Sequence, residues 1–182
     1  MVLKDRSQAG VLLAKKLYSY RGKGAIVLGL ARGGVAVART LADYLNLPLD
    51  VLVVKKIGAP EQEELAIGAL APDGVFYGDF DKSQTHKLAG QIMQKTLLYR
   101  KGRKPYAFRE KTVILVDDGA ATGATIETAI RWLRKKHARK IVVALPVAPK
   151  ELLPKIAPEV DELIVLETPD YFGAVGQFYK DF

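Results

Sequence analysis

Cysteine is absent from this 182-residue chain. Its absence excludes disulfides, thiolate metal sites and cysteine nucleophiles together, and it fits a reducing compartment. Histidine is nearly absent, with His86 and His137 the two imidazoles, too few for a histidine-rich metal centre. No apolar run reaches the roughly 18 residues of a membrane span, so no membrane partner is expected. The opening Met1-Val2-Leu3-Lys4-Asp5 lacks a charged-then-apolar leader, and a cytoplasmic location is the expectation. Low-complexity tracts and internal repeats are missing as well.

What is present is the balance of a folded globular protein, 49% apolar and 26% charged. The length suits a single domain, residues 1–182, with a real core. Basic residues outnumber acidic ones by 28 to 20, a formal charge of +8, which suits nucleic acid, anionic membranes or small anionic substrates. Arg131, Arg134, Lys135, Arg139 and Lys140 form the densest group. They read as the wet side and end of a helix, where cations suit the dipole. Nucleic-acid contact is disfavoured because interleaved surface aromatics are missing there.

Short runs rich in Val, Ile and Leu alternate with helical patterns. The runs lie at 25–30, 49–54, 113–116, 141–145 and 163–166, near-continuous as in strands covered on both faces. Between them Ala9, Leu12, Leu13, Leu17 and Tyr20 recur at helical spacing, as do Val35, Ala38, Ala42 and Leu45, then Ile126, Ala129, Ile130 and Leu133. Asp5 with Gln8 matches a capping box. This alternation predicts an α/β fold with a central, mostly parallel sheet flanked by helices. A hairpin is expected across Pro72-Asp73-Gly74, a further helix over 81–99, and a basic loop over 102–109. Residues 146–182, rich in Pro and aromatics, are expected to form a small hood or cap.

The strongest chemical signal follows the run at 113–116: Asp117-Asp118-Gly119-Ala120-Ala121-Thr122-Gly123-Ala124-Thr125. A buried strand ends in adjacent carboxylates, then a loop of small and hydroxyl residues, then a helix from about Ala124. Ligands in open α/β sheets bind outside the carboxyl ends of strands. Small residues let backbone N–H groups approach an anion, and a helix start adds a favourable dipole. This is the pattern of a phosphate cradle. The two carboxylates make sense if the ligand also offers sugar hydroxyls and brings Mg²⁺. A Walker loop fits worse, since Gly119 and Gly123 have three residues between them and Ala follows.

A second signal, Gly29-Leu30-Ala31-Arg32-Gly33-Gly34, closes the first run. Adjacent glycines permit close backbone approach, and Arg32 offers a fork of donors. Its glycine spacing does not make a dinucleotide fingerprint. A third, Val53-Val54-Lys55-Lys56, ends the second strand in two cations. Each is also compatible with an ordinary turn or a solvated strand end.

The 117–125 stretch resembles the motif with which type I phosphoribosyltransferases bind 5-phosphoribosyl-1-pyrophosphate (PRPP). The resemblance implies that Asp117 and Asp118 hold the ribose hydroxyls and that Gly119 through Thr125 wrap the 5′-phosphate. Arg32, Gly33, Gly34 and Lys55 or Lys56 would meet the pyrophosphate, and Arg32, Asp117 and Asp118 would be the catalytic residues. Mg²⁺ would be held mainly by PRPP, with Asp117 or Asp118 assisting. The whole chain is similar to a branch of predicted phosphoribosyltransferases through Asp5-Arg6, Ala31-Arg32-Gly33-Gly34, Lys56-Ile57-Gly58-Ala59-Pro60, Glu64-Leu65-Ala66-Ile67-Gly68-Ala69, Ala174-Val175-Gly176 and Tyr179-Lys180-Asp181-Phe182. That branch usually has Pro at Ala31.

The resemblance further implies transfer of phosphoribose to a nitrogenous acceptor, a nucleobase, by a homodimer. Phe172, after Pro169-Asp170-Tyr171, resembles the residue that stacks on the base in 6-oxopurine enzymes; packing within the cap is the alternative. Ala121 is instead like the adenine and uracil enzymes, which leaves the base open. A lid is expected at 58–64 or at 79–103, where Tyr99, Arg100 and Arg103 are donors. Some members of the superfamily bind PRPP or nucleotides as regulators without turnover, and that reading stays beside the enzymatic one.

Overall fold

A computed structural model of the protein describes residues 2–59, 62–78 and 85–182. In chain order it contains α1 (Arg6–Lys16), β1 (Ile26–Leu30), α2 (Gly33–Leu45), β2 (Leu49–Leu52), β3 (Lys55–Ala59), β4 (Gln62–Leu70), β5 (Phe76–Gly78), α3 (Thr85–Arg100), β6 (Thr112–Val116), α4 (Ala124–Lys135), β7 (Lys140–Val147), α5 (Leu153–Ile156) and β8 (Glu162–Glu167), with short 3-10 turns between some of them.

Alternate residues of the central strands enter opposite cores. Ile26, Leu28 and Leu30 of β1 join Leu115, Ile141 and Val143 against Ile126, Ala129, Ile130 and Leu133 of α4. Val27 joins Ile114, Val116, Val142 and Ala144 against Ala9, Leu13, Val37, Ala38 and Leu41 of α1 and α2. Both faces are thus covered, which is why these strands carry near-continuous apolar runs. The five strands lie in the order β2-β1-β6-β7-β8, and every pairing is parallel. The α/β expectation holds.

A second, antiparallel sheet of order β3-β4-β5 stands beside the main one. It contains the expected hairpin, with a 3-10 turn at Pro72–Gly74 between β4 and β5. The expected helix is α3, although residues 81–84, like 60–61 and 79–80 of the two lid segments, lie outside the described residues. Ile92 is the residue α3 buries. Its C-terminal end is tied instead by charge. Asp50, buried on β2, accepts Arg100 Nε at 3.0 Å and Nη2 at 3.2 Å, and also the Tyr106 amide at 3.1 Å.

Several boundaries differ from the sequence expectation. β2 ends at Leu52, and Lys55-Lys56 open β3 rather than closing β2. The segment 146–182 is not one cap: β7 continues to Val147 and β8 is the edge strand of the main sheet, leaving the α5 connection between them and the residues after Glu167 outside it. An edge position exposes one flank, so every residue of β8 is only half-buried. The capping box is half formed. Asp5 Oδ1 accepts the Gln8 amide at 2.7 Å, but Gln8 Oε1 reaches back to the Lys4 amide rather than to Asp5. Two of the five cations of the basic cluster meet carboxylates: Arg134 pairs with Asp161, and Lys140, which starts β7 rather than ending α4, pairs with Glu162.

Candidate functional site

Counting parallel strands alone, the main sheet runs second, first, third, fourth, fifth. Its direction of winding reverses between β1 and β6, and the crevice outside their carboxyl ends is the expected ligand position. The chain places Arg32-Gly33-Gly34 after β1 and Asp117-Asp118 after β6, one on each side of that crevice.

The two loops interlock. A Cβ on Gly33 would lie 1.7 Å from Asp118 Oδ2, and one on Gly34 would lie 2.7 Å from Asp117 Cα. Only glycines admit this contact. Asp118 does not face bulk solvent; its side chain is 14% exposed and Arg6 donates to Oδ2 from Nη2 at 2.7 Å and from Nε at 2.9 Å. Its amide donates to Asp117 Oδ1 at 2.9 Å, and its carbonyl accepts the Tyr179 hydroxyl at 2.6 Å.

Burial first, and then the neighbouring Asp118 charge, push the Asp117 carboxyl well above the ordinary carboxylate range, while Lys56 offsets this in part. A carboxyl that holds its proton more tightly folded than unfolded stabilises the fold at low pH. That contribution is complete below the ordinary carboxylate range and is lost as pH rises through the elevated value. Thermal stability of the wild type relative to Asp117→Asn should therefore fall as pH is raised across that window. Parallel pH profiles of the two proteins would count against this environment.

The 119–125 loop does not leave all of its amides free. Ala120 is buried and its amide donates to the Val147 carbonyl at 3.0 Å, so it offers nothing to a ligand. Among the described residues, the amides of 121–126 donate to no acceptor, and they surround the start of the 12-residue α4 at Ala124. Gly123 caps that helix with φ 82°. Ala121 and Thr122 are exposed and Thr125 is half-buried. Free amides at a helix start are the ordinary anion site.

Arg32 is exposed, its side chain bonds to no described residue, and its backbone caps α2. Lys56 is exposed, and its positive charge offsets part of the upward push on the Asp117 carboxyl. Lys55, with Arg32, Lys95 and Tyr99, lines a small hollow of about 40 Å³. Sequence reasoning singled out Tyr99 as a lid donor but not Lys95; the i,i+4 spacing of Lys95 and Tyr99 on α3 is the signal that pairs them. Phe172 stacks on Phe178 with ring centroids 5.2 Å apart, so one of its faces is already covered. The exposed aromatic of that segment is Tyr171, at 81%. A larger cleft of about 810 Å³ runs along α2 and shares Arg32 with the site, but neither carboxylate lines it.

Fold and site together define an open, doubly wound α/β protein with a helix start of unpaired amides and a carboxylate pair at its switch point. Residues 6–181 match the model of the phosphoribosyl transferase domain, and the chain belongs to that family. Rv0571c of Mycobacterium tuberculosis, whose name assigns it provisionally to the phosphoribosyl transferases, is 40% identical over 190 residues, covering 98% of this chain and 43% of the relative. The chain thus spans less than half the length of the curated relatives it matches. The crystal structure of TT1426 from Thermus thermophilus shares 37% identity and a TM-score of 0.81, over 100% of this chain and 92% of that one. A purine phosphoribosyltransferase from Pyrococcus horikoshii shares the fold at 22% identity and a TM-score of 0.52, over 93% and 91% of the two chains.

Proposed function

We propose that this domain transfers 5-phosphoribose from PRPP to a nitrogenous acceptor, a nucleobase by preference, and releases pyrophosphate. The observation that carries the reading is the convergence, at one switch point, of a free arginine, an interlocked glycine–carboxylate pair and a helix start with unpaired amides. Each part matches one part of the donor. The amides of 121–126 with Thr122 and Thr125 suit the 5′-phosphate. Asp117 and Asp118 suit the ribose hydroxyls, which donate to carboxylates. Arg32, the Gly33-Gly34 backbone and Lys55 or Lys56 suit the pyrophosphate.

The reaction breaks the bond from ribose C1 to pyrophosphate oxygen and forms one from C1 to the acceptor nitrogen, which loses its proton. The protein's work is to orient the donor and to meet charge growing on pyrophosphate. Among the described residues no cluster of three or more His, Asp or Glu could hold a resident metal. The adjacent Asp117 and Asp118 fit instead a Mg²⁺ that arrives on the donor's phosphates and takes one or two protein carboxylates. When bound it supplies charge neutralisation.

Pyrophosphate release from PRPP across a panel of bases tests the reading. Arg32→Ala should lower kcat about thirtyfold, the loss expected for a charge-assisted hydrogen bond, with a smaller change in donor affinity. A pure binding defect would remove Arg32 from the leaving-group role. PRPP binding without acceptor-dependent release would instead favour a regulatory protein, a reading supported by the ion pair already engaging Asp118 and the covered face of Phe172. A cytoplasmic homodimer is proposed on the resemblance alone, and sedimentation as a monomer at working concentration would reject the dimer. No described helix is long and apolar enough to cross a membrane.

A further inference from the structure

The two ends of the described chain meet on Asp118. Leu3 donates its amide to the Phe178 carbonyl at 2.8 Å, and its own carbonyl accepts the Lys180 amide at 2.9 Å. Asp181 donates its amide to the Lys4 carbonyl at 2.9 Å. This short parallel pairing brings the 174–182 segment over the carboxylate loop at three points. Val175 fills the space a side chain at Gly119 would need, its Cγ1 lying 2.6 Å from the Cβ position. Tyr179, 6% exposed, donates its hydroxyl to the Asp118 carbonyl. The Phe182 ring lies 3.9 Å below the Arg6 guanidinium, with the Tyr179 ring also facing it at 6.0 Å.

Arg6 is the first residue of α1, directly after the Asp5 cap. Both of its contacting nitrogens converge on Asp118 Oδ2, so Oδ1 is not claimed by the arginine. An exposed ion pair of this kind would contribute little. Here the arginine is 25% exposed, the carboxylate 14%, and the guanidinium plane is held against an aromatic face, conditions under which a charge-assisted pair is oriented and desolvated.

We propose that Arg6 is a positioning residue: with Phe182 and Tyr179 it forms a clamp, built from both ends of the domain, that presents Asp118 Oδ1 to the ribose hydroxyls of the donor. Arg6 acts through Asp118 and not on the reacting atoms. The clamp rests on the donor reading given above. It also accounts for why Asp5-Arg6 and Tyr179–Phe182, remote from each other and from the phosphate loop in sequence, belong to one site.

Calorimetric titration with PRPP and Mg²⁺ of the wild type, Arg6→Ala, Arg6→Lys, Phe182→Ala and Tyr179→Phe tests it. Arg6→Ala should weaken donor binding about tenfold or more, as expected for loss of a charge-assisted hydrogen bond. Arg6→Lys should recover part of that, because the charge returns without the planar fork. Phe182→Ala, which keeps the ion pair but removes its stacking face, should weaken binding by about threefold to tenfold. Unchanged or tighter binding in Arg6→Ala would overturn the clamp, the tighter result showing that Arg6 occupies the ribose position. Should Arg6→Ala fail to fold, Phe182→Ala and Tyr179→Phe decide on the same criterion.

If the wild type itself does not bind PRPP, the donor reading fails separately, and the clamp is judged without ligand. Arg6→Ala and Asp118→Asn should then lower thermal stability together by less than the sum of their single effects. Strict additivity would overturn it.

Discussion

Gly33→Ala should reduce PRPP affinity about a hundredfold or more while the protein stays folded, because a misplacement of roughly 1 Å at a positioned group has consequences of that size. The added Cβ would stand 1.7 Å from Asp118 Oδ2 and 2.4 Å from its Cγ. Those atoms end a side chain, so the carboxylate can rotate away, and in doing so it leaves both Arg6 and the ligand. Gly34→Ala is the control that separates site from fold. There the Cβ would meet backbone, Asp117 Cα at 2.7 Å and the Val116 carbonyl oxygen at 2.8 Å, at the end of a central strand. Backbone cannot rotate aside, and overpacking of this kind destabilises by about 1–3 kcal/mol or more. Thermal melts and donor titrations of both variants check the contrast. Full affinity in Gly33→Ala would mean that Asp118 is not held where the donor meets it.

The second large effect is on stability. Asp50→Ala should destabilise the fold by about 3–5 kcal/mol, the range for removing one partner of a buried ion pair. Asp50 is 7% exposed and receives four hydrogen bonds, two from Arg100 and one each from the Tyr106 and Val51 amides. α3 buries Ile92 and leaves Met93, Leu97 and Leu98 more than 60% exposed, and a cleft of about 700 Å³ separates part of it from the sheet. Packing holds this helix weakly, so its tether at Arg100 matters more than an average salt bridge. A fall in Tm of roughly 10 °C is expected for a chain of this size. Hydrogen exchange should rise along α3 first, since local opening follows the least-packed element. A fall below about 3 °C, well short of the shift such an energy implies, would show that the pair is not what secures the helix. The hollow lined by Arg32, Lys55, Lys95 and Tyr99 has one wall on α3, so Asp50→Ala should also weaken whatever that hollow binds.

Much of the scaffold was legible because its signals are local. A strand buried on both faces must be apolar at every position, and β1, β6 and β7 are nearly so. The helix after Gly123 begins where small residues and a left-handed cap predict it. The α/β class followed from these elements, and the Asp117–Thr125 pattern carried the resemblance to the type I phosphoribosyltransferases, the family to which the chain belongs. Boundaries failed where a strand signal continued past its pairing. Val53 and Val54 are buried like strand residues, yet β1 ends at Leu30 and offers them no partner in the main sheet. The residues after Pro146 were misjudged for a related reason: Pro and aromatic content marked a cap, although β8 completes the sheet.

The roles of the site residues divide along the same line. The carboxylates, the glycines and the small-residue loop are one contiguous stretch each, and their chemistry is visible in their spacing. Whether Ala120 offers its amide was not visible, because the acceptor that claims it is Val147 on another strand. Nor does any periodicity connect Arg6 with Asp118 across 112 positions.

By itself, then, the amino-acid order determined the layering of sheet and helices and the presence of a phosphate-friendly loop, since propensity, burial periodicity and turn chemistry act over a few residues. Only the tertiary structure decided which groups share a site: that Asp118 sits against Gly33, that Lys55 shares a hollow with Arg32, and that residues 3–6 and 174–182 close on Asp118. Those contacts join segments far apart along the chain, and their distances are set by how whole elements pack.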